Sequence, residues 1–224
     1  MKQLLLDIAP APRPSLDNFV AGRNVELLAA LRGLPAAPEG KRSLYMWGTA
    51  GSGRSHLLQA AIDHFSQRGF HVQIANGSDW NGLNACDLVV LDDVDVLDDA
   101  AQIALFNLFN QLRESGRTLI VSGPCAPAQL ELRADLKTRL GWGQVYQLLA
   151  LDDGEKTQAL QRHATERGFR LSDEVVAYLL RHVRRDLPTL MNMLDALDEW
   201  SLTAKKPVTV PLLRQLLQLP LSLE

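Results

Sequence analysis

The sequence predicts a doubly wound α/β sandwich on a parallel sheet, followed by an all-helical C-terminal subdomain. Three observations carry that expectation. Four short runs of buried-strand residues alternate with helical patterns between residues 43 and 122, as right-handed parallel crossovers require. A glycine-rich octapeptide joins the first of those strands to the next helix. Beyond Asp152 strand signals almost vanish and only helical periods remain.

In chain order, residues 1–14 end in Pro10-Ala11-Pro12-Arg13-Pro14, which favours extended backbone, so they are expected to form a flexible tail. Arg23 to Leu34 carries Val25, Leu28, Leu31 and Leu34 at helical spacing and is closed by a Pro/Gly-rich loop from Pro35 to Gly40. The strand runs are Ser43 to Trp47, Phe70 to Ala75, Leu88 to Leu91 and Thr118 to Ser122. Helical patterns lie between them at His56 to Gln67 and Ala100 to Glu114. In the C-terminal part they cover Asp153 to Arg167, Ser172 to Arg184 and Leu187 to Leu202, with a short helix after Pro211. Ser172, Asp173 and Glu174 suit a helix N-terminus. The expected organisation is a tail over 1–14, an α/β nucleotide-binding subdomain over 15–150 and a helical lid over 151–224.

A net charge of -3 supplies no basic field of the kind that drives non-specific DNA binding, so a dedicated DNA surface is disfavoured. Cys86 and Cys125 sit in apolar contexts without metal-ligand spacing and read as buried free thiols in a reducing cytoplasm. Leu4-Leu5-Leu6 falls far short of a signal or membrane segment, so a cytoplasmic location without membrane attachment is expected.

The chemistry is concentrated in Gly48-Thr49-Ala50-Gly51-Ser52-Gly53-Arg54-Ser55, between a strand and a helix. Glycines let backbone N–H groups curl around phosphate oxygens, and the helix N-terminus adds its positive dipole end. Ser55 would hold Mg²⁺. At position 54 an Arg replaces the usual Lys, so the charge is kept but a compact ammonium becomes a planar fork. The second motif is Leu88-Val89-Val90-Leu91-Asp92-Asp93, an apolar strand ending in two carboxylates. Such pairs also occur as solvated turns; downstream of a phosphate loop, Asp92 is expected to meet Mg²⁺ and Asp93 to polarise a water.

These motifs belong to a longer pattern. Asn18-Phe19-Val20-Ala21-Gly22, Gly53-Arg54-Ser55-His56-Leu57-Leu58, Asp92-Asp93 and Leu136-Lys137-Thr138-Arg139-Leu140-Gly141-Trp142-Gly143 resemble the AAA+ module of the bacterial initiator family DnaA, and more closely its shortened Hda branch. The resemblance covers nearly the whole chain, and its most diagnostic stretch is the last. It implies an AAA+ P-loop NTPase fold with a parallel-sheet α/β/α core and a helical lid. ADP or ATP with Mg²⁺ would bind at the octapeptide and His56.

By the same resemblance Arg139 would be an arginine finger, acting in trans on a neighbour's nucleotide. The plainer alternative is a surface Arg paired with Asp135 one helical turn earlier. Arg185, within Arg184-Arg185-Asp186-Leu187, resembles the second sensor that couples lid angle to nucleotide state. Gln3, Leu4, Leu6 and Ile8 resemble the peptide with which the Hda branch docks on the DNA polymerase III sliding clamp. A homo-oligomer, most simply a dimer, would strengthen that docking by multivalency. The chain ends at Glu224, directly after the lid, so the initiator's helix-turn-helix domain is not expected and DNA would be met only through the clamp.

The functional expectation is negative regulation of replication initiation. The nucleotide-bound protein, with the DNA-loaded clamp, would stimulate ATP hydrolysis by DnaA. Departures from the family pattern concern self-hydrolysis: Arg54 stands where Lys is usual, and only Ser122 can serve as the polar first sensor. The rival expectations are an active ATPase motor or loader of the helicase or clamp-loader kind, and an adaptor that recruits DnaA without stimulating it.

Overall fold

The computed structural model describes residues 14–38, 40–80 and 82–217. The chain divides after Ala150 into two compact units, one running from Arg13 to Ala150 and one beginning at Leu151.

The first unit is a five-stranded parallel sheet. Its strands are β1 (Ser43–Trp47), β2 (Val72–Asn76), β3 (Leu88–Asp92), β4 (Thr118–Gly123) and β5 (Gln144–Gln147), in the spatial order β2-β3-β4-β1-β5. The central strands β3 and β4 are buried over nearly their whole length, the signature of a parallel sheet covered on both faces. Alternation sorts their side chains into two cores. Leu44, Met46, Leu88, Val90 and Ile120 pack under α1 (Val25–Gly33) and α2 (Arg54–Ser66). Tyr45, Val89, Leu91, Leu119 and Val121 face α3 (Asp99–Glu114) and α4 (Ala134–Leu140).

Local chemistry fixes the element ends. The Asp98 carboxylate caps α3 by accepting from the Ala101 N–H at 2.8 Å. Gly69 follows α2 with φ 84° while the Phe70 N–H reaches back to the Phe65 carbonyl, so the strand starts at Val72 rather than Phe70. β5 and α4 are additions to the expected set. β5 is a four-residue edge strand whose side chains alternate between half-buried and exposed, too short and too polar to give a buried-strand run. Cys86 and Cys125 are free thiols but only half-buried, because each lies at the margin of the second core rather than inside it.

Among its described residues the second unit is all helical: α5 (Asp153–Glu166), α6 (Asp173–His182), α7 (Leu187–Ala204) and α8 (Val210–Leu217). Leu160, Val176, Leu179, Leu194, Leu197 and Leu213 form its core. Asp152 and Glu155 make a reciprocal capping box at α5, and Asp186 caps α7 by accepting from the Thr189 N–H at 3.0 Å. Ser172 sits at the N-cap of α6, yet its hydroxyl makes no capping bond. Among the described residues no helix is long and apolar enough to cross a membrane.

Candidate functional site

The octapeptide wraps the N-terminus of α2 at the C-terminal end of β1. Gly51 and Gly53 have φ of 77° and 98°, the left-handed region that frees backbone N–H groups to point inward. Gly48 is held close by its neighbours, since a side chain there would collide with the Leu148 carbonyl and the Ser52 hydroxyl. Among the described residues, four buried side-chain nitrogens or oxygens lack a hydrogen-bond partner, and two of them, Ser52 Oγ and Arg54 Nη1, belong to this loop. Orphaned donors beside a helix N-terminus suit an anionic oxygen, so the loop fits a phosphate. Thr49 and Ala50 are exposed at its rim.

The two carboxylates at the end of β3 are tied to this loop. Ser55 Oγ donates to Asp92 Oδ2 at 2.7 Å, which pairs the two residues proposed from sequence for Mg²⁺. Arg54 Nη2 lies 3.2 Å from Asp93 Oδ1, an ion pair the sequence reading did not anticipate. Asp93 has φ 51°, unusual for a residue with a side chain, and its backbone N–H donates to Ser122 Oγ at 3.2 Å. Ser122 is fully buried, and its hydroxyl also donates to Asp92 Oδ1. The Ser122 hydroxyl, expected from sequence to offer the polar first sensor, is thus engaged by the Asp92 carboxylate and the Asp93 N–H at the end of the neighbouring strand.

His56, in the first turn of α2, stacks at a tilt on Phe19 with ring centres 5.9 Å apart, and burial lowers its pKa. The segment carrying Phe19 is anchored by Asn24. Its Nδ2 donates to the carbonyls of Ala21 at 3.0 Å and Leu149 at 2.9 Å, and its Oδ1 accepts from the Leu149 N–H at 2.8 Å. Sequence reasoning missed Asn24, because one Asn before a helix signals a cap and nothing more; here the side chain makes no cap bond.

Arg139 lies at the opposite end of the sheet. It lies in the last turn of α4, just before β5, whose Gln144 pairs with Leu44 at the start of β1. It shares a hollow with Gly40, Asn110, Arg113 and Glu114, which precede β1 or close α3. The phosphate loop leaves the other end of β1, so a strand's length, ~13 Å, separates the two. The expected alternative of an Arg139–Asp135 pair is not what forms, because Arg133 takes Asp135 at 3.1 Å. Instead the Arg139 guanidinium stacks 3.7 Å from the ring centre of Trp142 and 5.2 Å from that of Phe106, with its Nε buried and unpartnered. Arg113 lies 4.8 Å from the same Trp142 ring. Trp142 was legible as part of the family string, but its stacking role was not.

In the helical unit Arg185 donates from Nε to the Leu180 carbonyl at 3.1 Å and from Nη2 to Asp153 at 3.2 Å. Arg184 pairs with Asp186 at 3.3 Å. Gln3, Leu4, Leu6 and Ile8 lie outside the described residues.

Comparison with known families and structures agrees with this architecture. The family model for the bacterial DnaA ATPase domain matches residues 77–147, and that for the Hda lid domain matches residues 153–217; between them they take in more than half of the chain. A replication initiator DnaA bound to AMPPCP and single-stranded DNA superposes with a TM-score of 0.70 at 22% identity, over 87% of this chain and 68% of that one. Domain III of the Thermotoga maritima replication initiation protein DnaA gives 0.70 at 23% identity, over 94% and 98% of the two chains. The Thermotoga maritima RuvB Holliday junction branch migration motor gives 0.63 at 16% identity, over 92% and 71%. At these identities the structures establish the fold alone, and the family match to the DnaA ATPase domain implies nucleotide binding. The chain belongs to the DnaA-related AAA+ family as an Hda-like member, with a DnaA-type ATPase domain followed by an Hda lid domain.

Proposed function

We propose that this protein is a negative regulator of replication initiation: in its nucleotide-bound form, held on a DNA-loaded sliding clamp, it presents Arg139 to ATP-bound DnaA and stimulates hydrolysis there. The observation that carries the reading is the separation of Arg139 from the chain's own phosphate loop by the length of β1, in a chain with an Hda lid domain. An arginine that cannot serve its own nucleotide is suited to serve another's. Its side chain is already ordered by Trp142 and Phe106, so less conformational entropy is lost on insertion.

In this reading the phosphate loop binds ADP or ATP, with Ser55 and Asp92 holding Mg²⁺. Arg185 senses the occupant, and Gln3, Leu4, Leu6 and Ile8 engage the clamp. Two copies would engage two clamp pockets at once. The motor alternative is weakened by the Arg54–Asp93 pair, which engages the carboxylate a hydrolytic water would need.

The test is DnaA-dependent ATP hydrolysis in the presence of the clamp and DNA. Arg139→Ala should lower the stimulated rate by ~10³-fold or more, the scale of an arginine-finger contribution. An unchanged rate overturns the mechanism.

A further inference from the structure

We propose that Arg54 divides its guanidinium between two tasks, Nη1 for a nucleotide phosphate and Nη2 for Asp93, and that this division suppresses hydrolysis of the protein's own nucleotide. The inference rests on the nucleotide-bound reading above but requires neither Arg139 nor DnaA.

Nη2 is ion-paired with Asp93 Oδ1 at 3.2 Å, while Nη1 is buried without a hydrogen-bond partner on the first residue of α2, directly after the glycines of the phosphate loop. The Arg54 side chain is only 16% exposed, so the fork has little freedom to turn. A lysine at this position would bring one compact ammonium; an arginine brings donors on two terminal nitrogens in a fixed plane and can bridge two anions at once.

Asp93 is held to meet it. Its left-handed backbone is wedged against Gly77, where any side chain would collide with the Asp93 carbonyl, and the Gly77 N–H donates to the Asp92 carbonyl at 2.8 Å. Asn76 Nδ2 donates to Asp93 Oδ2 at 3.5 Å, and the Asp93 N–H is held by Ser122. One carboxylate oxygen is thus engaged by Arg54 and the other by Asn76.

Hydrolysis would need that carboxylate differently. The water oxygen bonds to Pγ as the bond from Pγ to the β–γ bridging oxygen breaks, its electron pair leaving with ADP. The water proton passes to an Asp93 oxygen and then to the released phosphate. With Oδ1 in the ion pair the carboxylate is less basic and its direction is set by the guanidinium, so this acceptance is favoured only once Arg54 lets go of Asp93. Phosphate binding by Nη1 works against that, because it immobilises the same rigid fork. Bound nucleotide therefore reinforces the pair, and the site retains its ligand instead of turning it over.

The experiment uses the full chain, without DnaA or clamp, measuring steady-state ATP turnover with Mg²⁺ and the affinity of a fluorescent ADP. Arg54→Lys should raise turnover by about 10²-fold, the low end of what a positioned general base contributes, while ADP affinity stays within severalfold of the parent. Arg54→Lys combined with Asp93→Asn should return turnover to the parent level. Thermal denaturation of each variant checks that it is folded. An Arg54→Lys protein with unchanged turnover overturns the proposal, as does a gain that survives Asp93→Asn. Loss of ADP binding in Arg54→Lys overturns it too, since both nitrogens would then serve phosphate. If the parent itself does not bind ADP, the nucleotide-bound reading fails first; failure of the DnaA-directed reading alone leaves all these readouts unmoved.

Discussion

Replacing Asn24 by Ala should destabilise the nucleotide-binding unit out of proportion to the size of the change. The side chain is 4% exposed and makes three hydrogen bonds to main-chain groups, one to Ala21 and two to Leu149. Each such bond contributes about 1 kcal/mol net, and the truncation strips the Leu149 N–H and carbonyl of this partner, while the Ala21 carbonyl keeps only the backbone N–H of residue 24. The expected loss is therefore about 3 kcal/mol, which at ~2–4 °C per kcal/mol for a protein of this size lowers Tm by about 6–12 °C. The assay is thermal denaturation with and without ADP. At a hundredfold excess over Kd, ligand adds ~2.7 kcal/mol to any variant that still binds, so ADP should restore most of the lost midpoint. Asn24→Asp separates the cause from simple cavity formation. It preserves volume and can still accept from Leu149, but it turns a carboxylate toward two carbonyls, so it should be at least as damaging as Ala at neutral pH. A fall of less than about 2 °C for Asn24→Ala, or an Asp variant as stable as the parent, refutes the argument.

Other perturbations follow from the same geometry. Trp142→Ala removes the face on which Arg139 stacks, a contact worth ~0.5–2 kcal/mol, and should lower maximal stimulation of DnaA hydrolysis by about 2- to 30-fold, while Trp142→Phe recovers most of it; an effect confined to half-saturation would refute a positioning role. His56 titrates below its ordinary value of 6.5 because burial disfavours the cation, so protonation favours the unfolded chain. Stability should be constant above about pH 7 and fall as pH drops through 6.5 toward the lowered value. Urea denaturation at pH 7.5 and 5.5 should show a smaller difference for His56→Gln than for the parent, compared in a His64→Gln background because burial shifts His64 the same way.

Much of the fold was legible because its signals are local. The buried runs of β3 and β4, the glycines that punctuate the phosphate loop and the helical periods beyond Asp152 all lie within short windows of sequence. β5 escaped because Gln144 and Gln147 make an edge strand look like a loop, and its place is set by what precedes it. Gly143 lies so close to Ser43 that any side chain would collide with the Ser43 backbone, which brings the start of β5 against β1. The site divides in the same way. Arg54, Asp92 and Asp93 could each be found from a motif, but the Arg54–Asp93 pair depends on the left-handed backbone at Asp93, which no neighbouring residue type announces. Ser122 was read as facing a ligand because sequence gives its strand position but not which neighbour absorbs its hydroxyl. Asn24 was invisible because its partners at Leu149 are 125 residues away.

The two ends of the parallel sheet are chemically unlike. Asp92 and Asp93 lie at one rim with the glycine loop; at the other, Trp142 is clasped by Arg113 and Arg139. A contact that brings Arg139 of one molecule to a phosphate loop of another therefore joins tail to head, never like to like. Such a junction does not satisfy itself, since the donor keeps its own loop open and the acceptor keeps its own arginine unengaged. The pair of surfaces sets a direction for assembly, and the rotation each contact imposes decides whether the line closes into a ring or runs on.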